Sequence, residues 1–206
     1  MTRTLALDPV APPEDLVREA AAVLARGGLV AFPTETFYGL GARALDAVAV
    51  HRLVWVKGRP ESKPLLVLVD SVAMVERVAR EIPARARGLM QRHWPGPLTL
   101  VLPARPELPV EVTAASGTVG VRWSPHPIAR ALVHELGEPV TAPSANPAGQ
   151  AAPTTARQVG VYFGDRIDLV IDGGPTAGGA PSTVLDVTVD PPRVLRAGAL
   201  RVAPCE

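Results

Sequence analysis

Apolar residues arrive in short runs that proline, glycine or an acid cuts off, which limits the chain to small strands and helices stacked in alternation. Leu29-Val30-Ala31-Phe32 stops at Pro33, the run Pro64 to Val69 stops at Asp70, and Leu169-Val170-Ile171-Asp172 stops at Gly173. Runs of this length suit buried strands. Further strands are expected over Leu98 to Leu102, Thr118 to Arg122, Pro139 to Ala142, Ser182 to Val187 and Val194 to Arg196. Between them lie segments of helical spacing: Pro13 to Arg26, Asp46 to Val56, Asp70 to Arg80, Pro83 to His93, His126 to Leu136, and Thr155 to Phe163 with Thr154 or Thr155 as cap. The alternation has no strict strand-helix-strand rhythm. It predicts an α/β chain, a single domain around a twisted mixed (parallel/antiparallel) sheet flanked by helices.

Several classes of function are excluded at this level. No run approaches the roughly 20 apolar residues of a membrane span, and residues 1–13 carry no secretory pattern, so a cytoplasmic protein is expected. Basic and acidic residues number 21 and 20, a net charge of +1, which does not announce a nucleic-acid binder. Cys205 is the only thiol; it can form neither an internal disulfide nor a cysteine zinc site and is expected to be a frayed tail residue. His51, His93, His126 and His134 lack metal-ligand spacing, so no protein metal site is expected. No P-loop, dinucleotide fingerprint or Gly-x-Ser-x-Gly elbow occurs.

What remains is a set of polar clusters at strand and helix ends: Thr34 to Gly41, Lys57 to Lys63, Arg122, Ser144 to Asn146, Ser182-Thr183 and Arg196. Taken singly, each reads as a cap, a turn or a solvated charge. Together, hydroxyls, amides and cations at the ends of strands suit a polyanion such as a nucleotide phosphate. Lys57 and Lys63 are the only lysines among 21 basic residues, and a compact ammonium does work that a planar guanidinium does not. On the residues alone the reading stops at anion binding.

The motifs Pro33-Thr34-Glu35-Thr36-Phe37-Tyr38-Gly39-Leu40-Gly41, Lys57-Gly58-Arg59-Pro60 with Pro64-Leu65, Trp94-Pro95-Gly96-Pro97-Leu98-Thr99, Val119-Gly120-Val121-Arg122, Ala142-Pro143-Ser144-Ala145-Asn146 and Ser182-Thr183-Val184 followed by Asp186 resemble, in order, those of the YrdC/Sua5 family. The resemblance runs from about residue 15 to residue 200. It implies a YrdC-like domain over 1–206, with its core about 13–200 and without the carboxy-terminal domain of the longer Sua5 proteins. It further implies a threonylcarbamoyl-AMP synthase, a nucleotidyltransferase that makes threonylcarbamoyl-AMP and pyrophosphate from L-threonine, bicarbonate or CO2, and ATP, towards the t6A base of tRNA.

Carried over residue by residue, the resemblance puts Lys57 and Arg59 at the reacting phosphates as catalytic cations. It puts Lys63, Thr118, Ser144, Asn146 and Arg196 beside ATP, and Thr34, Tyr38, Arg122 and Ser182 around threonine. Mg2+ is expected through the ATP phosphates. A tRNA and a separate threonylcarbamoyl transferase are open as further partners. Two other functions compete with this one: an RNA- or ribosome-binding module without chemistry, using basic stretches such as Arg77 to Arg92, and a carbamoyl-transfer activity like that of hydrogenase-maturation proteins. The glycine-rich stretch Gly173 to Gly179 is open to two readings, a lid over a labile product or a plain surface loop.

Overall fold

The computed structural model of the chain describes residues 2–60 and 62–202, which leaves Cys205 outside the described residues. Its elements are β1 (Arg3–Ala6), α1 (Glu14–Ala25), β2 (Val30–Pro33), β3 (Tyr38–Gly41), α2 (Ala47–Lys57), β4 (Leu66–Leu68), α3 (Val72–Val75), α4 (Ala84–His93) and β5 (Leu98–Pro103). They continue with α5 (Val110–Thr113), β6 (Thr118–Arg122), α6 (Pro127–Leu136), β7 (Val140–Thr141), α7 (Ala156–Phe163), β8 (Leu169–Asp172), β9 (Thr183–Asp186) and β10 (Arg193–Arg196).

The expected mixed α/β architecture is present, divided over two sheets. One has the order β1-β8-β2-β3, the other β10-β9-β5-β6-β4-β7. Both mix parallel and antiparallel pairs: β2 runs antiparallel to β3 and parallel to β8, while β5 runs antiparallel to β6 and parallel to β9. Isolated bridges Gly39↔Ser144 and Arg43↔Val140 stitch the two sheets together along β3 and β7.

The first sheet forms because β2 is apolar at every position and is sealed on both sides. Val30, Ala31 and Phe32 have no exposure, and α1, α6 and α7 pack on the strands β2 and β8. The second sheet follows a period of two. Leu98, Leu100, Leu102, Val119, Val121 and Leu185 point into the common core. Their alternates Thr99, Val101, Gly120, Arg122, Val184 and Asp186 look the other way, into a cleft.

Four local expectations differ from what is found. β1, an edge strand with little burial, was not expected from the sequence. Nor was β3, whose glycines are needed for space: a Cβ on Gly41 would sit 2.7 Å from Phe32 Cε1 and 2.9 Å from Val140 Cγ1. The helix expected over Asp70 to Arg80 is a single turn, α3, because the chain leaves helical geometry to bridge Ala79 to Ala104 and to bond Arg80 N to Pro103 O. Val75, Val78 and Ala79 are buried all the same, through turns. The short α5 was likewise unforeseen. Among the described residues no helix is long and apolar enough to cross a membrane.

Candidate functional site

The open face of the six-stranded sheet is the floor of a cleft of about 720 Å³, and the β2–β3 turn and the chain after β7 form its walls. Leu66, Val101, Val184 and Leu195 are among its apolar lining. Arg122 and Gly120 are successive floor positions of β6, and the lack of a side chain at Gly120 leaves depth where Thr99 Cγ2 would be 3.4 Å from an added Cβ.

All four residues expected around the amino acid line this cleft: Thr34, Tyr38, Arg122 and Ser182. The β2–β3 turn shapes the first two. Thr34 Oγ1 donates to Phe37 O at 2.7 Å, and Tyr38 Oη donates to Gly174 O at 2.7 Å. Burial, with Asp172 nearby, pushes the Tyr38 phenol up to about 12, so it stays a neutral donor. Ser182 Oγ lies 2.9 Å from Thr99 Oγ1 and accepts from Arg196 Nη2 at 3.0 Å.

Arg122 is 3% exposed. Its Nη1 lies 2.9 Å from Glu35 Oε1, and Ser124 Oγ donates to Glu35 Oε2 at 2.5 Å. Burial pulls Arg122 below the ordinary guanidinium value; Glu35 opposes that pull and Arg196 adds to it. Arg122 Nε is buried without a hydrogen-bond partner. A buried orphan donor on a cleft residue calls for an acceptor from the ligand, and a carboxylate supplies one. Sequence reasoning assigned no role to Glu35 or Thr99. An acid beside so many cations and hydroxyls was the available signal for Glu35; Thr99 became visible only once β5 and β9 were in register.

The residues expected beside the nucleotide divide. Arg59, Thr118, Ser144 and Arg196 line the cleft, whereas Lys57, Lys63 and Asn146 do not. Arg59 follows the left-handed cap Gly58 (φ 57) of α2 and is braced by carbonyls, Nε to Lys63 O at 3.1 Å and Nη2 to Pro64 O at 2.9 Å. Lys63 is exposed and contributes its carbonyl to that brace. Asn146 folds its own loop, with Nδ2 donating to Pro147 O at 3.0 Å and Gln150 O at 2.7 Å. Lys57 is 3% exposed and donates from Nζ to Ser144 O and Asn146 O, each at 2.5 Å. Burial, with Arg59 nearby, lowers the Lys57 ammonium to about 7.

Gly173 to Gly179 is docked on the far side of the β2–β3 turn, through Tyr38 Oη to Gly174 O and Gly178 N to Thr36 O. None of its residues lines the cleft. Among the described residues no cluster of three or more acids, histidines or cysteines could cage a metal ion. Asp186, the acid in the lining, already accepts from Thr188 N and Oγ1 and meets Arg193 at 3.5 Å.

Four guanidiniums, of Arg59, Arg122, Arg193 and Arg196, and a ring of hydroxyls facing one cleft can bind a molecule with two separate anionic groups. A family model for Sua5/YciO/YrdC, described as telomere recombination, matches residues 22–198. The chain belongs to the Sua5/YciO/YrdC family. Threonylcarbamoyl-AMP synthase of Pyrococcus abyssi is 48% identical over 184 residues, which are 89% of this chain and 54% of that protein. The Bacillus subtilis enzyme of the same name is 45% identical over 185 residues, with the same two coverages. The chain thus spans about half the length of these curated relatives. A crystal structure of P. abyssi Sua5 complexed with L-threonine superimposes with a TM-score of 0.92 at 45% identity, over 96% of this chain and 58% of that one. In this Sua5/YciO/YrdC chain the six-stranded sheet and the walls of the cleft fall inside residues 22–198, the range the family model matches.

Proposed function

We propose that the chain is a nucleotidyltransferase that makes threonylcarbamoyl-AMP and pyrophosphate from L-threonine, bicarbonate or CO2, and ATP. The observation that carries this reading is the convergence of Arg59, Arg122 and Arg196 on one cleft with Thr34, Ser144 and Ser182. The names of the relatives and the threonine complex of P. abyssi Sua5 support it.

The chemistry has to bring two anions together. Threonine loses a proton from its ammonium, the neutral amine adds to CO2, and a second proton leaves to give the carbamate. A carbamate oxygen then attacks the α-phosphorus; the new O–P bond forms as the bond to the bridging oxygen breaks, and pyrophosphate departs with that electron pair. Arg122 would hold the carboxylate of threonine through its orphan donor, with Thr34, Tyr38 and Ser182 closing the pocket. Arg59 and Arg196, with the Ser144 and Thr118 hydroxyls, would lie against the phosphates and offset the charge that develops there. Mg2+ fits this reading as an ion carried by the phosphates, where it would shield their charge. Tyr38, held neutral, adds no anion to the pocket.

An RNA module is less well supported, since Arg77, Arg85 and Arg87 of the basic stretch already meet Gly137 O, Asp190 and Glu76. A cytoplasmic setting and transfer to tRNA by a separate enzyme belong to the same proposal. The test is mass-spectrometric detection of the mixed anhydride with each substrate omitted in turn. The product should appear only when all three are present. Pyrophosphate release that is indifferent to threonine or to bicarbonate would overturn the proposal.

A further inference from the structure

Lys57 and Arg59 stand two residues apart, yet only Arg59 lines the cleft. The left-handed Gly58 reverses the chain between them, so the two cations serve different sides of one wall. Lys57 is grafted onto the segment after β7 at three points. Its Nζ donates to Ser144 O and to Asn146 O, and its own carbonyl accepts from Ala148 N at 2.8 Å. The other side of that segment is held by β3, through Leu40 N to Pro143 O at 2.8 Å and Ala145 N to Tyr38 O at 2.7 Å.

Within the turn Ser144 O accepts from Asn146 N at 2.9 Å, and Lys57 Nζ adds a second donor to it and a donor to Asn146 O. A buried carbonyl without a donor is costly, and one backbone amide satisfies only one of the two. An ammonium carries three N–H donors on a compact head and can meet two carbonyls of one turn at once; a guanidinium is too wide and planar to do so in the same space. Burying a cation without a carboxylate partner is expensive, and no acid lies against Lys57 among the causes that shift it, which are burial and Arg59. The expense is met by what the grip accomplishes, since the clamped turn presents Ser144 to the cleft.

We propose that Lys57 is a positioning residue that acts through the Ser144–Asn146 turn, setting the Ser144 hydroxyl for the phosphates of the nucleotide, and does not itself contact them. The proposal rests on the nucleotide reading given above, and its test separates the two.

In the free protein, hydrogen exchange of the amides between Ala145 and Gln150 should quicken at least tenfold in Lys57→Met, with the amides of β5 and β6 unchanged. Lys57→Gln, which keeps one short donor and guards against a Lys57→Met chain that does not fold, should fall between. Exchange unaltered at the turn in the folded variant overturns the proposal whatever the cleft binds. For the second arm, the affinity for ATP with Mg2+ is measured for Lys57→Met, Ser144→Ala and the double variant. If Lys57 works through Ser144, each single change weakens ATP about tenfold and the double variant is no weaker than the worse single one. The affinity for L-threonine should stay within twofold, which general loosening would not allow. Losses that multiply in the double variant would mean that Lys57 meets the nucleotide on its own account, and the proposal would fall. A wild-type protein that binds no ATP would overturn the function proposed for the cleft and the Ser144 role with it, while the exchange measurement would still decide the Lys57 grip.

Discussion

The two sheets are built from similar strands and used in opposite ways. In the four-stranded sheet, β2 and β3 are buried at all eight positions, and the strands carry no cleft-facing cation. In the six-stranded sheet, the face carrying Leu98, Leu100, Val119 and Val121 does the packing, and the other face is left to Thr99, Gly120, Arg122 and Asp186. The first sheet spends nearly all of its surface on cohesion and lends the cleft only Tyr38 and Gly39 at the start of β3. The second gives up half its packing surface and accepts a buried, incompletely satisfied Arg122 so that a ligand has something to meet. Stability and chemistry are thus largely separated in space, and this separation can be tested.

The largest effect should come from Arg122→Ala. Product formation is expected to fall by about 10²–10³, and loss of the Glu35 partner should lower stability by about 3 kcal/mol, read as a shift in the urea midpoint. Adding Glu35→Gln should restore much of the midpoint but none of the turnover. Recovery of both would blur the boundary between the two sheets.

The counterpart in the four-stranded sheet is Phe32→Ala. It should cost about 3–5 kcal/mol of stability while leaving turnover per folded molecule within about twofold, below the roughly 0.6 kcal/mol scale of thermal energy. A large drop in turnover with the fold intact would show that the first sheet shapes the cleft.

A pH dependence with opposite signs is expected at two sites, spread over several pH units and without effect on the fold. Lys57 titrates at about 7 when folded against an ordinary 10.5, so between these values the unfolded chain holds more protons and stability rises with pH. Tyr38 titrates at about 12 against 10.0, so the folded chain holds its proton longer and stability falls as pH climbs from 10 to 12. Urea midpoints across this range should rise and then fall. Lys57→Met should flatten the rise, and Tyr38→Phe should flatten the fall; a variant curve parallel to the wild type would remove the corresponding assignment.

How much of this could be read from the chain follows from where each signal lives. Helices α1, α2, α4, α6 and α7 and most strands were legible because their apolar spacing is local. The edge strand β1 has almost no burial to leave a pattern, and β3 reads as a turn because two of its four residues are glycine. The split into two sheets depends on pairings such as β1 with β8, more than 160 residues apart, which no local window contains. In the site, the hydroxyls and guanidiniums were identifiable by residue type. Which of Lys57 and Arg59 meets the cleft was not, since spacing alone carries no information about the reversal at Gly58. Glu35 and Thr99 were passed over because each acts through a residue distant in sequence, Arg122 and Ser182.

The wall around Thr34 belongs to one sheet and the floor around Arg122 to the other, joined by a shared apolar core and, along β3 and β7, by backbone hydrogen bonds such as Thr141 N to Ala42 O and Ala145 N to Tyr38 O. A molecule seated across that seam works as a clasp. The guest adds ties between the two halves, so occupancy should slow hydrogen exchange at the amides along the seam.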